Sequence, residues 1–226
     1  MAPLPPATGR RPRAVVLDFG GVLITTIAGS IGRIADASGV DPAALHEVLL
    51  GPRESGAEHP WHRAERGELP VSAIQGELAP WAEAAGIELA GDEIDRLLAP
   101  GGYEVVEPML AEVDAMRAAG LRVALLTNTF AEFRPTMDRD VDLSRFDVVV
   151  ESFALGARKP EAAIYEATAE RLGVAHVDIA YLDDFDQNLE PAEALGWTTI
   201  HVVDPLDALV ELRALVGVDR NRSLDR

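Results

Sequence analysis

The sequence predicts an α/β fold, a doubly wound parallel sheet covered on both faces, with an α-helical segment inserted after its first strand. Three observations carry this expectation. The apolar run Ala14-Val15-Val16-Leu17 ends in Asp18 and is followed at once by Gly20-Gly21, the pattern of a buried parallel strand with a tight exit turn. From Ile24 to about Pro100 no strand-like alternation appears. From Val106 onward strand and helix patterns alternate with short connections, as a parallel sheet with helical crossovers requires.

The elements follow in order. After the first strand, Ile27, Ile31, Ile34 and Ala35 recur at helical spacing up to Gly39. Asp41-Pro42 reads as an N-cap with proline at the first helical position, opening a helix over Ala43 to Leu50. Gly51 to His62 is polar and broken by Pro52, Gly56 and Pro60, which predicts a loop. Trp61, Leu69, Ile74 and Leu78 mark further helical packing positions, and Glu93 to Leu98 closes the block. Then come a helix from Pro108 to Ala119, a strand Leu121 to Leu126 running into Thr127-Asn128, and a strand Phe146 to Val150. A helix Pro160 to Leu172, a strand Ile179 to Leu182 running into Asp183-Asp184, a helix Leu189 to Leu195, a strand Thr198 to Val203 and a helix Leu206 to Val216 complete the chain. The expected division is a core of residues 14–24 and 103–218, a helical cap of 25–102, and flexible tails at 1–13 and 219–226.

Composition removes several function classes. The balance of 38 acidic against 20 basic residues and a formal charge of −18 argue against nucleic acid and anionic membrane surfaces as partners. No cysteine is present, so thiolate nucleophiles, disulfides and sulfur-ligated metals are excluded as well. No apolar run approaches the roughly 20 residues of a membrane helix, and the proline- and arginine-containing start has no apolar signal region, so a cytoplasmic protein is expected. The histidines His46, His59, His62, His176 and His201 are scattered without zinc-ligand spacing. Asp184, Asp186 and Asn188 alternate as in a calcium loop, but Leu189 and Leu195 stand where its glycine and closing glutamate belong. Gly20-Gly21 lacks the lysine of a P-loop and the third glycine of a dinucleotide fingerprint.

The strand ends collect the chemistry. Asp18, Thr127-Asn128 and Asp183-Asp184 all fall where strands of a parallel sheet end on one edge, with Lys159 opening a helix between them. Alone, Asp18 reads equally well as a turn cap or as a nucleophile or metal ligand. Converging carboxylates repel unless a cation sits among them, and an all-oxygen set suits Mg²⁺ with a substrate phosphate. Lys159 is the only lysine beside nineteen arginines, which suits a compact ammonium in a tight site, an isolated surface residue being the alternative.

In order and spacing, DFGGVL at Asp18–Leu23, LLTNT at Leu125–Thr129, GARKP at Gly156–Pro160 and YLDDFDQN at Tyr181–Asn188 resemble the four motifs of the haloacid dehalogenase-like hydrolase superfamily. WHRAERGEL at Trp61–Leu69 and the run from Asp183 to Gly196 most resemble the phosphatases grouped with the N-terminal domain of soluble epoxide hydrolase. The resemblance implies a Rossmann-like core, a small helical cap and a Mg²⁺-dependent phosphatase of a small phosphorylated metabolite. It makes Asp18 the nucleophile that becomes an aspartyl-phosphate. It makes Asp18, the Gly20 carbonyl, Asp183 and Asp184 the Mg²⁺ ligands, Thr127, Asn128 and Lys159 the phosphate-binding groups, and Asn188 a brace for the fourth loop. The metal-free dehalogenase branch has no use for the Asp183-Asp184 pair. Trp61 and Trp81 are expected to pack the cap, with Trp61 and His62 as possible contributors to the site.

One position departs from the superfamily pattern. Its phosphatases carry a second aspartate two residues after the nucleophile, as general acid and base, and here that position is Gly20. Such catalysis is worth about 10²–10⁴ in rate, or roughly 3 to 5 kcal/mol of barrier. Three readings follow: substrates with good leaving groups, a stand-in such as His62 or Glu65, or a phosphate-ligand binder without turnover.

Overall fold

The computed structural model describes residues 11–26, 28–52, 58–99 and 101–217. The expected tails lie mostly outside these residues, as do Ile27 and Pro100. Residue 13 is an exception to the expected tail: the Arg13 N–H donates to the Asp178 carbonyl at 2.8 Å and its carbonyl accepts from Arg122 N–H at 3.1 Å, so it extends the sheet ladder.

Five parallel strands form one sheet: β1 (Ala14–Leu17), β2 (Arg122–Thr127), β3 (Val148–Glu151), β4 (Ile179–Asp183) and β5 (Thr198–His201), in the order β3-β2-β1-β4-β5. The chain winds outward from β1 to β3 and then returns to start β4 on β1's other side. The strand order therefore reverses between β1 and β4, where open α/β sheets form a ligand crevice beyond their carboxyl ends. Register aligns Leu17 with both Leu125 and Leu182, which brings the following residues to one edge.

Alternation within the strands explains why their sequences read as continuously apolar. Val15, Leu17, Val123, Leu125, Ala180 and Leu182 face one core. Ala14, Val16, Ala124, Leu126, Ile179 and Tyr181 face the other. Both faces are covered, so no polar alternation survives. Leu125 is fully buried in β2, and Leu125→Ala is expected to cost about 2–5 kcal/mol through lost contacts and a residual cavity. Urea denaturation measures this directly; a loss well under 1 kcal/mol would contradict the packing described.

Between β1 and β2 lie α1 (Ala28–Ser38), α2 (Pro42–Leu50), α3 (Pro60–Glu65), α4 (Val71–Glu77), α5 (Ala79–Ala85) and α6 (Glu93–Leu97), followed by α7 (Glu107–Ala118). Asp41 caps α2 as expected, its side chain accepting from Ala44 N–H at 2.9 Å. The helices α1 to α6 pack their own cluster of Ile31, Ile34, Leu45, Leu49, Trp61 and Ile74. Phe130, from the segment after β2, inserts into that cluster. Its ring meets Trp61 edge-on at 4.8 Å. Trp61 is buried, whereas Trp81 is half-buried against the His59 ring at 4.5 Å.

The remaining helices are α8 (Arg134–Val141), α9 (Ser152–Leu155), α10 (Ala162–Leu172), α11 (Asp186–Ala194) and α12 (Pro205–Val216). Several expected boundaries move. The short helices α8 and α9 have no counterpart in the sequence reading; α8 is strongly polar and buries only Met137 and Val141. The third strand starts at Val148 rather than Phe146, because a 3-10 turn, Leu143–Arg145, ends just before Phe146. Thr127 is the last residue of β2 rather than part of the exit loop. The expected helix at Pro160 begins at Ala162, so Lys159 lies in the turn before α10 rather than at a helix start. α11 begins three residues earlier than expected and takes in Asn188, with Pro191 inside it as the sixth residue.

Candidate active site

Asp18 follows β1, and Asp183 and Asp184 lie at the end of β4, so the strand register brings all three together. One carboxylate oxygen from each lies within 4.8 Å of the others. Lys159 reaches in from the turn before α10. Its ammonium is 2.8 Å from Asp18 Oδ1 and 2.6 Å from Asp183 Oδ2, and its side chain is 1% exposed. A guanidinium fork could not serve both oxygens from a point position, which accounts for the chain's one lysine.

Asp183 is the fixed member. Its Oδ1 accepts from Phe185 N–H at 2.8 Å and from Asn188 Nδ2 at 3.0 Å. Its Oδ2 accepts from Lys159 and from the Tyr181 hydroxyl. Asn188 is thus held against the strand end, and Tyr181 is a site residue that the sequence reading missed. Its signal was present: Tyr181 and Asp183 stand two apart on one strand and share a face. Asn128 exchanges two hydrogen bonds with the Lys159 backbone, its Oδ1 accepting from Lys159 N–H at 2.8 Å and its Nδ2 donating to the Lys159 carbonyl at 3.1 Å. Asn128 therefore positions the lysine turn. Thr127 is buried beside it on the cavity wall.

Three carboxylates share one ammonium, and two of them, Asp18 and Asp184, are held above the ordinary carboxylate range. Burial pushes Asp18 up to about 8 against the pull of Lys159, with Asp183 and Asp184 adding to the rise. Burial and then Asp183 push Asp184 up to about 7, partly offset by Lys159. Burial works to lower Lys159, but Asp18 and Asp183 outweigh it and hold the ammonium above its ordinary range. Asp184 Oδ1 is buried without a hydrogen-bond partner. An oxygen-rich cluster with an unsatisfied buried oxygen fits a hard divalent cation.

The two glycines after Asp18 differ. Gly21 has φ +67°, and a Cβ there would lie 2.3 Å from the Asp184 carboxyl carbon, so only glycine lets the loop approach Asp184 this closely. Gly20 is not among the left-handed residues, and a Cβ there would meet no atom within 4 Å.

A cavity of about 190 Å³ opens over the cluster between the sheet edge and the helical insert. Asp18, Gly20, Thr127, Asn128, Lys159, Asp184 and Asn188 line its polar end, and Trp61, His62 and Glu65 reach it from α3. Ile24, Leu50, Leu97, Phe130 and Phe133 make much of the rest apolar. Glu65 is committed elsewhere. Its Oε1 accepts from Trp61 Nε1 at 2.9 Å and its Oε2 from Arg158 Nε at 2.5 Å, in an ion pair whose two side chains are each 8% exposed. Arg158, next to Lys159, is a second residue that the sequence reading did not single out. His59 is fully buried and structural, with Nε2 3.1 Å from the Val48 carbonyl and Nδ1 accepting from Trp61 N–H at 3.2 Å.

The family model for haloacid dehalogenase-like hydrolases matches residues 12–196, which span the four motifs and the helical insert. The chain belongs to this family. Among curated relatives, the bifunctional epoxide hydrolase 2 of Rattus norvegicus is 34% identical over 91% of the chain and 39% of its own length. The chain therefore spans about two fifths of that relative. The sesquiterpene phosphatase astK of Aspergillus oryzae is 25% identical over 91% of the chain and 97% of its own length. A solved structure, a predicted hydrolase of this family from Porphyromonas gingivalis, superposes with a TM-score of 0.65 at 26% identity, covering 90% of this chain and 98% of that one. The family accounts for the parallel sheet and the carboxylate edge, and phosphatase-named relatives support a hydrolase of phosphate esters. Among the described residues no helix is long and apolar enough to cross a membrane.

Proposed function

We propose that this member of the family is a Mg²⁺-dependent phosphatase that transfers the phosphoryl group of a small phosphorylated metabolite first to Asp18 and then to water. The observation that carries the reading is the cluster of Asp18, Asp183 and Asp184 around the buried Lys159 ammonium at the sheet's carboxyl edge. Asp18, Asp184 and the Gly20 carbonyl would hold Mg²⁺, with Asp183 adding its charge beside them, and the bound ion would supply positive charge against the carboxylates and the phosphoryl oxygens. Asp183 is already saturated by protein donors, so Asp184 with its unpartnered Oδ1 is the carboxylate with most to gain.

Lys159 pulls Asp18 toward its ionised form, which the charge of bound Mg²⁺ would complete, and neutralises charge as phosphorus is approached. The Asp18 oxygen attacks phosphorus, the bond to the leaving oxygen breaks, and the aspartyl-phosphate is later opened by water. Thr127 and Asn128 are the remaining polar groups beside the phosphoryl position. Residues 25–102 act as the cap and residues 14–24 and 103–218 as the core, with the cap excluding water over the edge. The apolar cavity wall favours a substrate whose organic group is largely apolar.

The test is phosphate release from p-nitrophenyl phosphate with Mg²⁺ and with EDTA. Release that disappears with the chelator and returns with Mg²⁺ is the expected result. Mg²⁺ binding without release would instead favour a phosphate-ligand binder, the reading that Gly20 keeps open.

A further inference from the structure

Among the described residues, the missing carboxylate at Gly20 has no substitute in the acidic groups of the cavity. Asp18, Glu65 and Asp184 are the described carboxylates that line it. Asp18 is the nucleophile of the proposed reaction and Asp184 belongs to the cation cluster. Both Glu65 oxygens are taken by Trp61 and Arg158. The Tyr103 hydroxyl, also on the cavity wall, donates to Asp140 Oδ2 at 2.6 Å, and its acidity is depressed by burial and by that carboxylate. Meanwhile Gly20, which lines the same cavity as Asp18, leaves open space, with no atom beyond its chain neighbours within 4 Å of where a Cβ would stand, and its backbone is not left-handed. Neither strain nor crowding demands a glycine here, so its consequence is chemical.

Resting on the phosphatase reading above, we propose that Gly20 is a specificity-determining residue that confines turnover to phosphates whose leaving group departs unprotonated, namely acyl, aryl and enol phosphates. In the first step the Asp18 oxygen forms a bond to phosphorus, and the electron pair of the breaking P–O bond stays on the leaving oxygen, which departs as a carboxylate, phenolate or enolate with no proton from the protein. In the second, a water oxygen attacks phosphorus and the P–O bond to Asp18 breaks. The carboxylate is regenerated, one water proton remains on the phosphate and the other goes to solvent. Alkyl phosphates, whose alkoxide must be protonated as it leaves, are poor substrates of the same site.

The experiment compares kcat/KM for acetyl phosphate and for a series of dinitrophenyl, nitrophenyl, phenyl and alkyl phosphates, in the full chain with Mg²⁺. Wild type is expected to fall steeply along the series. Gly20→Asp is expected to raise the alkyl rate by about 10²–10⁴-fold, the span of a positioned general acid, while changing the dinitrophenyl rate little. Gly20→Asn, similar in size but unable to transfer the proton, is expected to keep the steep dependence. A wild type equally fast on alkyl and activated esters would overturn the proposal, as would a Gly20→Asp series as steep as wild type. A shallow wild-type series made steep by His62→Asn or His46→Asn would assign the acid to that histidine and overturn it too. Each of these results leaves the phosphatase reading intact, because release still occurs. Absence of release from every ester, with Asp18→Asn indistinguishable from wild type, would remove both.

Discussion

Asp18→Asn is expected to lower phosphate release by at least about 10³-fold while the protein stays folded, since removal of a covalent nucleophile leaves only binding and electrostatic assistance. The variant also changes the electrostatics in a definite direction. Burial, with Asp183 and Asp184, raises the Asp18 carboxyl to about 8 in the metal-free fold from an ordinary 3.8, against the pull of Lys159. The folded state therefore binds this proton more tightly than the unfolded chain does. The resulting stabilisation is full below about pH 4 and is lost as pH rises through about 8. The asparagine amide of the variant does not titrate, so in EDTA its melting temperature should fall less between pH 5 and pH 9 than that of wild type. Added Mg²⁺ should restore more stability to wild type at the higher pH. Turnover by Asp18→Asn within tenfold of wild type would remove Asp18 from the nucleophile role, whatever the melting curves show.

Glu65→Ala is expected to cost about 3–5 kcal/mol of folding stability, because it leaves the Arg158 guanidinium buried without its counter-ion. The pair joins α3 to the turn that carries Lys159, and Arg158 Nη1 already lacks a hydrogen-bond partner. Against a total of about 5–15 kcal/mol for a domain, such a loss is large. Replacing both partners with apolar side chains, Glu65→Leu with Arg158→Met, should recover most of it, since the desolvation cost then vanishes with the charges. Urea denaturation of the single and double variants separates the two effects. A Glu65→Ala loss below 1 kcal/mol would mean that the pair is solvated in solution and does not hold the insert to the core.

The strands were legible because each of the central ones carries its burial in its own few residues, as Val15 and Leu17 face one core and Ala14 and Val16 the other. The carboxylate edge was legible for the same reason, since Asp18, Asp183 and Asp184 each mark a strand end. What misled the reading was local. Polar α8 offers little apolar periodicity, and Lys159-Pro160 resembles a helix start although the helix waits until Ala162. Arg158 gave no signal beside Lys159, and Glu65 read as a free acid because its ion-pair partner Arg158 lies 93 positions away in the chain.

The sequence by itself determined the α/β class, the helical segment after the first strand, the strand-end carboxylates and the absence of a second aspartate at Gly20. These follow from side-chain period, turn residues and composition, all readable within a few neighbouring positions. Only the tertiary structure decided that Glu65 is spent on Arg158, 93 positions away, that Tyr181 and Asn188 saturate Asp183, and that open space surrounds Gly20 while Gly21 is pressed against Asp184. Those facts depend on which groups from distant segments meet in a buried, low-dielectric place, where each polar atom must find a partner and one ammonium must answer three carboxylates.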